Sequence, residues 1–119
     1  MFKIYREFTF DAAHYMPNYP DGHKYRQIHG HSFRAKIWLS GKPDPEHKMI
    51  CDFANVDNAL SDIEEKLDHV ELNALPGLEK PTLEGVAEWM WNELQSKLPQ
   101  LHSIEVHRGM NGEGCIYQP

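Results

Sequence analysis

The feature that most constrains this 119-residue chain is a pair of long alternating segments, each carrying histidine on its apolar parity. In the first, Phe2, Ile4, Phe8, Phe10, Ala12 and His14 share one parity, while Lys3, Tyr5, Glu7, Thr9 and Asp11 share the other. A period of two predicts a strand with one buried face. In the second, expected over about residues 31–41, Phe33, Ala35, Ile37 and Leu39 continue the parity of His29 and His31. If the two strands pair antiparallel, the end of the first lies beside the start of the second, and His14 comes next to His29 and His31. Three neutral imidazoles with no fourth protein ligand suit a catalytic zinc ion, whose fourth position stays open to water or substrate. Iron, copper and nickel also accept imidazole. Without a ligand to hold, three such polar rings on apolar faces would be costly.

Between the strands, residues 15–28 are punctuated by Pro17, Asn18, Pro20, Asp21 and Gly22 and keep no period, so they read as a loop. Structureless loops of this length are commonly functional. This one delivers His23, Lys24, Tyr25 and Arg26 to the metal candidates, and the expectation is a wall of an active site suited to phosphate oxygens. After the connection Lys42-Pro43-Asp44-Pro45, the short apolar piece 49–53 is expected to extend the sheet.

Helical periodicity follows. Phe53, Val56, Leu60, Ile63 and Leu67 make one stripe, with the acidic residues between them on a solvated face. Just past it stand Asp68 and His69. An aspartate bonded to a histidine fixes the ring's tautomer and raises its basicity, as proton shuttling requires. A second helix is expected from the N-cap Thr82, with Glu84 in its first turn, a stripe of Leu83, Val86, Ala87, Met90, Leu94 and Leu98, and Pro99 as its stop. Residues 103–107 and 114–117 read as strands joined by the turn Gly109-Met110-Asn111-Gly112. The order predicts one α+β domain over residues 1–119, an antiparallel four-stranded sheet with both helices on one face. The bare face and the open edges would be satisfied by a homo-oligomer.

Composition narrows the function classes. A net charge of -6 argues against nucleic-acid binding, which depends on clustered Lys and Arg. No apolar run approaches the roughly 18 residues that span a bilayer, and Met1-Phe2-Lys3-Ile4 lacks a signal peptide's apolar core, so a cytoplasmic protein without a membrane partner is expected. The two cysteines, Cys51 and Cys115, are too few for a disulfide scaffold and read as ordinary buried thiols.

The motifs Phe10-Asp11-Ala12-Ala13-His14, Ile28-His29-Gly30-His31-Ser32-Phe33, Cys51-Asp52-Phe53, Leu67-Asp68-His69, Leu72-Asn73, Pro81-Thr82-Leu83-Glu84 and Gly114-Cys115-Ile116-Tyr117 occur in that order across the chain. As a set they resemble the 6-pyruvoyl-tetrahydropterin synthase family, and within it the bacterial 6-carboxytetrahydropterin synthases of queuosine biosynthesis. The resemblance implies a tunnelling fold (T-fold), in which trimers close a β-barrel from their sheets and commonly pair into homohexamers with active sites between subunits. It implies zinc ligands at His14, His29 and His31, a proton relay at Asp68 and His69, and a pterin contact at Thr82. It also implies a lyase reaction on 7,8-dihydroneopterin triphosphate.

The pattern is broken at two places. Where the family has a catalytic cysteine shortly before His-Gly-His, this chain has Tyr25, which makes Tyr25 the candidate for the proton work. Where a glutamate grips the pterin's amino-pyrimidine edge, this chain has Gly109, or Arg108 if one residue is inserted. The competing expectation is therefore a metal-binding homologue that has lost the synthase reaction and takes a different pterin or purine-like ligand.

Overall fold

The computed structural model describes residues 1–119. Its elements are β1 (Phe2–His14), β2 (His29–Gly41), α1 (Phe53–Leu67), α2 (Leu83–Leu94), β3 (Leu101–Arg108) and β4 (Glu113–Tyr117), with short 3-10 turns at Lys24–Arg26 and Leu72–Ala74. The strands form one antiparallel sheet in the order β1-β2-β3-β4. This is the expected α+β arrangement. The sheet's apolar parity supplies Phe8, Phe10, Ala12, Phe33, Ala35, Ile37, Leu39, Ile104 and Val106 to a single core. The helical stripes answer with Val56, Leu60, Ile63 and Leu67 from α1 and Val86, Ala87, Met90 and Leu94 from α2. Each large aliphatic side chain buried in this way stabilises the fold by roughly 1.5–3 kcal/mol.

Local chemistry sets the helix ends. The Asp52 carboxylate accepts the Ala54 N–H at 2.9 Å to start α1, and the Thr82 hydroxyl accepts the Gly85 N–H at 3.0 Å to start α2. Gly85 is required there, because a Cβ would collide with the Lys80 carbonyl.

Four boundaries differ from expectation. Residues 49–53 do not extend the sheet: the chain bends there, and Asp52 is committed to capping α1. Phe53 opens the helix 45% exposed, and Ala59 fills the stripe instead. Helix α2 stops at Leu94, from where a further turn carries Leu98 back into the core. Strand β2 starts at His29, so both histidines of His-Gly-His lie inside the strand.

The sheet face away from the helices is polar and aromatic. Tyr5 packs on Trp38 with ring centroids 4.9 Å apart, the Lys36 ammonium sits 4.6 Å from the Tyr5 ring, and Arg34 pairs with Glu7 at 3.2 Å. No helix is long and apolar enough to cross a membrane.

Candidate functional site

Strands β1 and β2 pair along their whole length, with His14 opposite His29 and Ala12 opposite His31. The three rings therefore share the core side of the sheet. Their centroids are 4.6 Å (His14 to His29), 5.0 Å (His14 to His31) and 5.0 Å (His29 to His31) apart. One nitrogen from each lies within 4.8 Å of the others.

Backbone carbonyls decide which nitrogens are free. The Nδ1–H of His14 donates to the Pro81 carbonyl at 2.9 Å, and that of His29 to the Gln27 carbonyl at 2.7 Å. A carbonyl only accepts, so in each ring Nδ1 carries the proton and Nε2 keeps its lone pair. The Nε2 of His14 is fully buried and has no hydrogen-bond partner. A buried polar atom left in this state costs stability unless a ligand takes it, and outer carbonyls that orient imidazoles are the usual support of a metal site. The donor set thus fits a divalent metal bound by His14, His29 and His31. Burial is the main force that pushes His14 down to about 4, with the neighbouring His29, His31 and Arg108 adding to it against the Pro81 bond. Burial chiefly lowers His31 as well, helped by His29 and Arg108. Both rings are thereby kept in the neutral, ligating form.

The histidines open into a cavity of about 460 Å³ whose lining includes Lys24, Tyr25, Thr82, Arg108 and Glu113. Tyr25 stands 6.4 Å, centroid to centroid, from His29. Thr82 reaches the cavity while its hydroxyl caps α2. Of the loop residues singled out in sequence, Lys24 and Tyr25 line the cavity, whereas His23 packs on Tyr19 at 4.4 Å. Arg26 holds the loop together through the Pro17 and Tyr19 carbonyls, at 2.6 and 3.0 Å, and through Asp21.

Asp68 and His69 do not line this cavity within one chain. They are fastened to the outer edge of β1: the His69 N–H donates to the Asp11 carbonyl at 2.6 Å, and the Asp11 N–H to Asp68 Oδ1 at 2.9 Å. Asp68 Oδ2 meets His69 Nδ1 at 2.8 Å. His69 has φ 59, a left-handed backbone uncommon for a residue with a side chain. Its ring is 78% exposed. The hydrogen bond to Asp68 raises the His69 pKa, while the Asp11 N–H and then His69 lower that of Asp68. His69 instead lines a shallow surface pocket with Asp11, His31, Ser32 and Glu71.

Sequence reasoning missed the Pro81 carbonyl, which fixes the His14 tautomer, and the Nε of Arg108, which is buried without a hydrogen-bond partner. The first leaves no sequence signal, because a backbone acceptor is the same for every residue. The second had a partial one, a cation at the end of a strand whose neighbour begins with Glu113.

Known proteins match the chain over most or all of its length. The family model described as 6-pyruvoyl tetrahydropterin synthase matches residues 3–119. The chain is 38% identical to a 6-carboxy-5,6,7,8-tetrahydropterin synthase of Synechocystis sp., with 100% of this chain and 95% of that protein covered. It is 29% identical to a dihydroneopterin monophosphate aldolase of Pyrococcus furiosus, over 81% of this chain and 76% of the other. The Caenorhabditis elegans 6-pyruvoyl tetrahydropterin synthase superposes with a TM-score of 0.87 at 23% identity, covering 99% of this chain and 95% of that one. The four-stranded sheet with its two helices is accordingly a T-fold, and with the family model matched from residue 3 to the C-terminal residue, the chain belongs to the 6-pyruvoyl tetrahydropterin synthase family.

Proposed function

We propose that the protein is a zinc-dependent lyase of the 6-carboxy-5,6,7,8-tetrahydropterin synthase type, acting on 7,8-dihydroneopterin triphosphate. The observation that carries this reading is the buried, unpartnered Nε2 of His14 beside His29 and His31, in a cavity large enough for a bicyclic heterocycle. The Synechocystis relative's synthase name supplies the reaction type.

His14, His29 and His31 hold the ion, which when bound polarises and acidifies hydroxyl groups of the substrate side chain. Thr82 and the first turn of α2 position the ring system from the opposite wall. Tyr25 receives or returns a proton at its phenolic oxygen, in place of a thiol. The relay is supplied by Asp68 and His69 of a neighbouring subunit: Asp68 orients the ring through Nδ1, so that the exposed Nε2 exchanges the proton. The protein in this reading is a homohexamer, a dimer of trimers, which also covers the polar sheet face.

The test is turnover of dihydroneopterin triphosphate by zinc-loaded protein. Turnover that disappears in His29→Ala supports the reading, and no turnover with a full zinc complement contradicts it. A second reading has its own support in the aldolase relative, in Tyr25 and in the missing glutamate at Gly109 or Arg108: the same centre cleaves or only binds a different pterin or a purine-like ligand. Turnover of the monophosphate but not of the triphosphate would favour it.

A further inference from the structure

We propose that Arg108 is an oxyanion-binding residue of the cavity, selecting ligands that carry a carboxylate or a phosphate, and that Glu113 occupies its place until such a ligand arrives. This rests on the reading of the cavity as a substrate site.

Arg108 is the last residue of β3, opposite Phe33 on one side and Glu113 on the other. Its side chain is 21% exposed and lines the cavity. The Nε atom is buried and has no partner. The guanidinium's one bond is from Nη2 to Glu113 Oε2, at the long distance of 3.4 Å. Guanidinium nitrogens only donate and stay charged, and two parallel N–H groups match the two oxygens of a carboxylate or phosphate. Here one N–H of the group is weakly engaged and another waits.

Glu113 is suited to giving way. It is about half exposed, and it opens β4, the last strand of the sheet, just after a turn in which Gly109 and Gly112 adopt positive φ, so within the chain its backbone pairs with β3 alone. Lys24 adds a second cation to the lining of the cavity, and Glu84 is the acid besides Glu113. At Arg108 itself a ligand edge made of N–H donors would meet only donors, whereas an oxyanion satisfies the buried Nε and displaces the long contact to Glu113. The class of ligand selected is therefore a heterocycle with an acidic substituent, bound with that substituent against β3.

The test uses full-length, metal-loaded protein and three ligands: pterin-6-carboxylate, neopterin monophosphate and the neutral 6-hydroxymethylpterin. Their own fluorescence reports binding. The anions are expected to bind about tenfold to a hundredfold tighter than the neutral compound. Arg108→Gln should erase that preference and spare the neutral ligand, Arg108→Lys should restore only part of it, and Glu113→Gln should strengthen the anions. Preference between the two anions identifies carboxylate or phosphate as the natural group. Equal binding of all three, lowered alike by Arg108→Gln, overturns the proposal and leaves the pterin reading intact. If no pterin binds, the pterin reading fails. The Arg108 Nε–H resonance of the unmodified protein then decides, and it also serves if Arg108→Gln does not fold. A saturable shift with inorganic phosphate or formate upholds the oxyanion site, and an unmoved resonance overturns it.

Discussion

His14 and His69 both depend on β1, yet the strand sets them to opposite ends of imidazole chemistry. His14 ends the strand on its apolar parity, is fully buried, gives its Nδ1 proton to a carbonyl and is pushed down to about 4. His69 is pinned to the strand's outer edge, points into solvent, gives its Nδ1 proton to the Asp68 carboxylate and is raised above the usual imidazole value. A carbonyl partner in a desolvated place makes a neutral ligand, while a carboxylate partner in water makes a ready proton carrier. The residue type is the same. Burial and the charge of the Nδ1 partner separate the roles.

The largest expected break in this contrast comes from the exposed member. Asp68→Asn should cut turnover by about 10²–10⁴-fold, the range of a lost general acid or base, while zinc content stays at the wild-type level. The His69 pKa, followed by NMR, should fall at the same time. His14→Ala should do the reverse, weakening zinc affinity by at least about a hundredfold, as competition with a chelator would show, since even changes outside the ligand sphere reach that size.

The pH dependence of stability sharpens the contrast further. In the metal-free protein, His14 has a folded pKa near 4 against the ordinary 6.5, so the unfolded chain binds the extra proton between those values. Its contribution is present above pH 6.5 and is lost as pH falls towards 4, to a total of about 3 kcal/mol. Denaturant titrations across that window should show the loss, and His14→Leu should flatten it. His69 works with the opposite sign. Its raised pKa gives stability that is full below the ordinary value and lost as pH rises through the folded one. The smallest effect is expected outside both sites: Gly85→Ala should lower stability by about 1–3 kcal/mol, seen as a reduced Tm, because its Cβ collides with the Lys80 carbonyl.

The contrast was half legible in the sequence. Alternation over residues 2–14 and 29–39 placed the three histidines on one face, because a period of two leaves a side chain only two faces to choose from. The stripes of α1 and α2 were legible for the same kind of reason, and Thr82 announced its cap. The apolar run 49–53 misled, since hydrophobicity there serves a bend and the start of α1 rather than a ladder. Asp68 and His69 could be recognised as a pair, but a segment after a helix has no period to say which way it faces. Its attachment to the edge of β1 is decided by the backbone of Asp11, which carries no mark in the sequence. Arg108 could be named from the sequence as a possible departure from the family pattern, but its unsatisfied Nε could not, because that emerges only from the register of three adjacent strands.

Because Asp68 and His69 of the same chain do not line the cavity beside His14, His29 and His31, the proposed site draws its dyad from a neighbouring subunit, and mixing defective subunits tests this directly. His29→Ala and His69→Ala proteins, each inactive alone, are co-expressed and assembled together. Sites that draw the triad from one parent and the dyad from the other should return activity to about a quarter of wild type in a random mixture. Mixed oligomers that form and remain as inactive as their parents would contradict a site shared between subunits.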